Sequence, residues 1–271
     1  MKRYFVRPGS KFKLNDINPF ETGDFDPKRD EEEAQQKTQK IVAKLDDFQE
    51  RLYASAEKSL LIVLQGMDTS GKDGLIEHVM SAFNPQGSRV TSFKVPSQEE
   101  KTHDFLWRVH REVPPKGFIG IFNRSHYEDV IVTRVHGLIS DETAKKRFRQ
   151  INDFERLLAQ SGTVILKFFL HISKDEQKRR LQARADDPKK HWKFNINDVR
   201  ERKHWGAYQK AFRDAMRETS TKHAPWIVIP SDHKWYRNYV AGKILTQTLE
   251  NMDLCYPPGP KGINFSKIRI R

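Results

Sequence analysis

Only one of the 271 residues is a cysteine. Cys255 has no internal partner, so an intrachain disulfide and a cysteine metal cluster are both excluded. Long apolar runs are also missing. A membrane helix needs roughly 20 consecutive apolar residues, and the longest candidates, Leu60–Leu64 and Val164–Leu170, are strand-sized. The opening stretch MKRYFVRPGSKFKLND lacks the apolar core of a signal peptide. No internal repeat or low-complexity segment interrupts the chain. The expectation is a cytoplasmic protein with no membrane partner.

Acids are scarce relative to bases. The chain has 36 Asp+Glu against 49 Lys+Arg, a formal net charge of +13. Such an excess suits a nucleic acid, an acidic membrane or a phosphate-rich small molecule. A basic solvated surface is the plain alternative, and the distribution of charge decides between them. From Lys178 to Arg213 twelve Lys/Arg face four acids, a local net of +8. Most of the excess is therefore concentrated in one segment. Trp192, Phe194, Trp205, Tyr208 and Phe212 are interleaved with it.

Hydrophobic spacing organises the rest. Residues 1–30 carry Pro8, Pro19, Pro27, Gly9 and Gly23 with little periodicity and read as an extended arm. Glu31–Lys58 reads as a helix, with Ile41, Leu45, Phe48 and Leu52 on one face. Strands are expected at Leu60–Leu64, Arg89–Val95, Phe118–Phe122, Thr163–Leu170 and Trp226–Ile229. Helices are expected at Leu75–Phe83, Glu99–Arg111, Asp141–Gln160, Lys174–Arg184, Asn197–Arg217 and Trp235–Met252. Strands alternating with helices predict an α/β fold, a parallel sheet flanked by helices. The division is an arm over 1–35, one domain over 36–256 and a tail over 257–271.

The strongest local signal follows the first strand: Gly66-Met-Asp68-Thr69-Ser70-Gly71-Lys72-Asp73, of the form G-x-x-x-x-G-K, between a strand and a helix. That is the context of a Walker A phosphate loop. Its glycines let backbone N–H groups turn inward around phosphate oxygens, and Lys72 reaches the terminal phosphates. Gly66, Thr69, Ser70, Gly71, Lys72 and Asp73 are the candidate phosphate-binding residues. Two features depart from the plain motif. Asp73 stands where Ser or Thr would bind magnesium, and Asp68 puts a carboxylate inside the loop. Asp68 is either a metal ligand or a structural cap.

The third strand ends in Asn123-Arg124-Ser125-His126-Tyr127-Glu128-Asp129. In open parallel sheets ligands bind beyond the carboxyl ends of strands, so this cluster faces the loop if the two strands are neighbours. Arg124 is a phosphoryl clamp or the partner of Glu128 in a helix-cap salt bridge. Asp129, ahead of Glu128, is a candidate metal ligand where Asn123 replaces an acid. His126 reads as a packing residue rather than a base. The basic segment, with its break at Asp187–Pro188, reads as a helical lid over about 180–213 that closes on phosphates, with Lys189, Lys190 and Lys193 as cations.

The pieces GMDTSGKDG, FNRSHYEDV, RRLQARADDPKKHWKFN and APWIVIPSDHKWYRN, in this order, resemble the polyphosphate kinase 2 family. The resemblance implies a P-loop kinase fold like thymidylate kinase. It also implies metal-dependent phosphoryl transfer between inorganic polyphosphate and a nucleotide, ADP, AMP or ATP, with magnesium or manganese as cofactor. Asp68 and Lys72 match the family's essential loop residues, Arg124 its phosphate clamp and Arg184 its lid arginine. The Asn-Arg-Ser-His-Tyr-Glu-Asp run looks like the subgroup that accepts both AMP and ADP, with nucleotide contacts at Asn123, Arg124 and Glu128. A homo-oligomer is the expected assembly. Two rivals remain: a nucleotide kinase using ATP as donor, and a non-enzymatic binder of nucleic acid. The first leaves the excess of base unexplained. The second leaves the phosphate loop unexplained and lacks a recognition motif, so no specific nucleic-acid partner is expected.

Overall fold

The computed structural model describes residues 1–270. Two helices, α1 (Glu31–Val42) and α2 (Leu45–Ser55), precede strand β1 (Ser59–Gln65) and helix α3 (Lys72–His78). Strand β2 (Ser88–Ser92), two single-turn helices α4 (Gln98–Lys101) and α5 (Trp107–His110), β3 (Ile119–Asn123), α6 (Glu128–Val135) and α7 (Asp141–Gln160) follow. The second half runs β4 (Thr163–His171), α8 (Lys174–Asp186), α9 (Ile196–Glu201), α10 (Trp205–Thr219), β5 (Trp226–Pro230) and α11 (Lys234–Glu250).

All strand pairs are parallel, in the order β2-β3-β1-β4-β5. The expected α/β sheet is thus present. Its three inner strands and β5 are almost wholly buried, because helices cover both faces. Edge strand β2 is only partly covered. The stripe predicted for α7 is the buried one: Phe148, Ile151, Phe154 and Leu158 all face the core. Ser140 and Ser173 cap α7 and α8 by accepting the Thr143 and Glu176 amides.

Four helical expectations change. Leu75–Phe83 is the end of α3, which stops at His78, and a 3-10 turn at Met80–Ala82. Glu31–Lys58 is two helices, because the chain turns at Ala43–Lys44 and reorients α2. Gln49 then clamps the backbone of Asn84 from both sides, donating to its carbonyl at 2.8 Å and accepting from its amide. Glu99–Arg111 is not one helix: the Asp104 carboxylate accepts the Leu106 amide at 2.9 Å, which offers the backbone a turn in place of a helical bond. The segment Asn197–Arg217 is α9 and α10, joined by a 3-10 turn at Arg202–His204. Helix α6 was not foreseen.

Residues 1–30 are packed against the body. Tyr4, Val6, Leu14 and Ile17 are buried, and the Val6 amide donates to the Trp226 carbonyl on β5. The Tyr4 hydroxyl donates to the Glu21 carboxylate and lies 2.6 Å from the Tyr236 hydroxyl. After α11 residues 255–270 are exposed, including Cys255 itself. Among the described residues no helix is long and apolar enough to cross a membrane.

Candidate active site

Strand β1 delivers the phosphate loop, and β3 delivers the second polar cluster beside it. The register pairs Leu64 with Asn123, and the Arg124 amide donates to the Leu64 carbonyl at 3.1 Å. The two sequence clusters are therefore neighbours at the carboxyl ends of adjacent parallel strands, where open α/β sheets bind ligands.

The loop turns sharply. Gly66, Thr69 and Gly71 all have positive φ, with Gly71 at 104°. A Cβ on Gly66 would fall 2.8 Å from the Leu170 carbonyl of β4, so the backbone there comes too close for any side chain. Lys72 is buried under the loop, its Nζ donating to the Gly66 carbonyl at 2.9 Å. Burial, and then the Arg124 charge, hold the Lys72 ammonium below its ordinary range.

Asp68 and Arg124 meet across the site. Arg124 Nη2 lies 2.8 Å from Asp68 Oδ1, and its Nη1 lies 3.4 Å from Glu128 Oε2. The same arginine therefore makes the Glu128 contact and reaches into the loop. It does so from a left-handed backbone, φ 65°, a conformation that non-glycine residues rarely adopt. The turn is pinned by Ser125, whose hydroxyl accepts from the Gln65 amide group and the Tyr127 N–H, both at 3.2 Å. Asn123 donates to Asp73 Oδ1 at 2.7 Å, so these two candidates bind one another and tie β3 to α3.

Asp129 points elsewhere. Its carboxylate lies 3.4 Å from Arg108, and its own carbonyl accepts from Arg147. Burial raises its carboxyl above the usual range, with Arg108 opposing. Among the described residues no three of His, Cys, Asp and Glu gather as a metal-holding group. His126 is buried against Glu155 at 3.3 Å, as a packing residue would be. Glu155 in turn pairs with Lys167 at 2.6 Å, under the turn that carries Arg124.

The basic segment rises from α8. Arg184 lies 3.6 Å from Asp198 on α9. Burial, and then the Asp68 charge, raise the Asp198 carboxyl above the usual range. Lys189, Lys190 and Lys193 sit on an exposed 3-10 run, Pro188–Lys193, and bond to no loop atom. Trp192 beside them is 78% exposed.

Sequence reasoning missed the supports beneath the loop. Arg180 donates to the Thr69 and Ser70 carbonyls at 3.0 and 3.2 Å and to the Ser231 and Asp232 carbonyls at 2.6 and 2.9 Å. Gln177 holds the Asp68 carbonyl at 3.1 Å. Arg237 packs against Gly71 from α11. In the sequence these look like ordinary polar positions of amphipathic helices.

A glycine-rich loop of the phosphate-binding form, an arginine paired across it and an exposed basic segment on one sheet end are features of many phosphoryl-transfer proteins, and comparison narrows the class. The model of the family "Polyphosphate kinase 2 (PPK2)" matches residues 28–256. The chain is 49% identical over 257 residues to an AMP/ADP-polyphosphate phosphotransferase of Meiothermus ruber, covering 95% of this chain and 96% of that protein. It is 44% identical to an ADP-polyphosphate phosphotransferase of Rhodopseudomonas palustris, over 80% of this chain and 79% of that one. The crystal structure of polyphosphate kinase 2 from Arthrobacter aurescens TC1 matches with a TM-score of 0.91 at 42% identity, over 95% and 92% of the two chains. Matched by the family model over residues 28–256 and 49% identical to a relative covered over 96% of its length, the chain belongs to the polyphosphate kinase 2 family.

Proposed function

We propose that this protein transfers the terminal phosphoryl group of inorganic polyphosphate to ADP and to AMP, reversibly. The observation that carries the reading is the juxtaposition of the Lys72 loop with the Asp68–Arg124 pair. The segment of local charge +8 follows in the same sheet-end region. A long polyanion needs a basic track, and a single-phosphate site does not. The names of the relatives above support the donor and the acceptors.

In this reading the inward-facing loop amides and Lys72 hold the donor end, and Arg124 bridges the transferred phosphoryl oxygens. Phosphoryl transfer demands positioning and charge neutralisation more than covalent chemistry from the protein. Asp68 is the carboxylate suited to a divalent ion. Magnesium keeps most of its waters and takes one or two carboxylates plus substrate phosphates, and a lone carboxylate inside a phosphate loop fits that donor set. When bound, magnesium or manganese neutralises phosphate oxygens at the reacting centre. Asp129 joins only where Arg108 releases it. Arg184 and the lid lysines Lys189, Lys190 and Lys193 cover the chain. Asn123 and Glu128 border the acceptor side, and an acceptor held by base and ribose presents either an α- or a β-phosphate to the same centre.

The test mixes purified protein with polyphosphate, magnesium and either ADP or AMP. ATP should form from ADP. From AMP, ADP should appear first and ATP after it, and ADP alone serves as the control for dismutation. ATP plus AMP without polyphosphate should react poorly; efficient transfer there would make the protein an ATP-dependent nucleotide kinase instead.

A further inference from the structure

Arg237 is 1% exposed, among the most deeply buried side chains of the molecule. Its guanidinium lies against the end of the phosphate loop, beside Gly71 and Gly74. A Cβ placed on Gly71 would stand 1.7 Å from Nη1, and one on Gly74 would stand 3.3 Å from Nη2. Only glycine at position 71 lets the cation come so close to the loop backbone, and Gly74 keeps the contact beside it free of strain.

A buried cation ordinarily has a carboxylate partner. Arg180, beside it, has one: Glu176 at 2.7 Å, in addition to four backbone carbonyls. Arg237 has none among the described residues. Its Nε and Nη2 donate to the neutral side-chain oxygen of Asn238, at 3.1 and 2.8 Å. The charged group nearest to it in effect is Arg180, another cation. Burial and that neighbour hold the Arg237 guanidinium down to about 9. No acid opposes them.

An uncompensated charge in this position costs folding stability unless something supplies the missing negative charge. The loop directly above Arg237 is built for an anion. We propose that Arg237 is a positioning residue of the donor site, a buried cation whose counter-charge is the polyphosphate end seated in the loop. It acts through Gly71 and the loop backbone. It stabilises the loaded loop and leaves the empty protein less stable than it could be. This rests on the reading that polyphosphate occupies the loop.

The sign of the stability change distinguishes this from a merely structural strut. Arg237→Met, Arg237→Lys and the unaltered protein are melted with and without inorganic tripolyphosphate, and tripolyphosphate affinity is titrated against salt. Without the anion, Arg237→Met should melt at the same temperature as the unaltered protein or higher, since it replaces an unpaired buried charge with an apolar chain of similar reach. Tripolyphosphate should raise the melting temperature of the unaltered protein clearly and that of Arg237→Met much less. Affinity in Arg237→Met should fall at least about tenfold, or about 1.4 kcal/mol, with a shallower salt dependence. Arg237→Lys should recover part of the affinity. An Arg237→Met protein that fails to fold, melts lower without the anion, or gains as much from tripolyphosphate as the unaltered protein overturns the proposal and makes Arg237 a strut. If tripolyphosphate stabilises none of the three proteins, the placement of polyphosphate in the loop fails, and the role of Arg237 fails with it.

Discussion

The phosphate loop and the basic segment both bring cations to one end of the sheet, yet the molecule holds them in opposite ways. Beneath the loop, Lys72, Arg180 and Arg237 are buried and fixed by backbone carbonyls, close packing or both. In the lid, the Pro188–Lys193 run has no buried residue, and its lysines end in solvent or on nearby Asp187. The difference teaches a division of labour. Buried, preorganised cations act in a low-dielectric setting and need no reorganisation when charge develops. Exposed lysines are screened by water and salt and contribute through number and reach. The first set suits the reacting phosphate, the second a chain of variable length.

Breaking the fixed half should have the largest effect. Lys72→Met and Asp68→Asn are each expected to lower turnover by about 10²–10³-fold in a protein that stays folded, as steady-state rates and circular dichroism would record. Near-normal turnover in Asp68→Asn, with unchanged magnesium dependence, would remove that carboxylate from the chemistry and leave it as a partner for Arg124.

Replacing Lys189, Lys190 and Lys193 together by Gln tests the adaptable half. The KM for long polyphosphate should rise about three- to tenfold while that for ADP changes little. The salt slope of polyphosphate binding should flatten by up to about three, one per lysine removed. Equal changes for both substrates would mean that the lid closes as a general cover and carries no track.

This contrast also explains what could be read in advance. Strands β1, β3 and β5 were legible because burial on both faces makes them short apolar runs. The loop was legible because glycines, a lysine and a flanking strand and helix leave few other uses for that pattern. Helix α6 was hidden because its eight residues begin inside the polar cluster Glu128–Asp129. The supports were hidden for a different reason. Arg180 and Arg237 sit in helices where an arginine normally reads as surface charge, and what buries them is a loop more than 100 residues away, as the Arg180–Thr69 bond shows. Lys167, buried within β4, was hidden in the same way, and its partner Glu155 lies on the preceding helix.

A last expected effect lies outside both regions and calibrates them. Burial lowers His171, at the end of β4, from 6.5 to about 4. The unfolded chain therefore takes up a proton on this group before the folded one does. Its contribution is fully present above pH 6.5 and is lost as the pH falls toward about 4, by at most about 3 kcal/mol at 1.36 kcal/mol per unit. Urea denaturation at pH 7 and pH 5 should show the drop, and His171→Gln should reduce it. A drop of the same size in His171→Gln would assign the acid sensitivity to other groups.

The contact between the N-terminal arm and β5 has a consequence for how copies of this chain behave in solution. Val6 bonds to Trp226, and Phe5 bridges Ile227 in antiparallel fashion. The outer rim of β5, a run of buried apolar residues, is thus occupied from within the same chain and offers no template on which a stray strand could grow. The opposite rim, β2, is guarded in another manner. It spans five residues, and Arg89 on it is exposed and pairs with Glu112 at 2.8 Å. One margin of the sheet is sealed by chain and the other kept short and charged, so a strongly basic protein that must meet long polyanions is spared from polymerising along its own sheet.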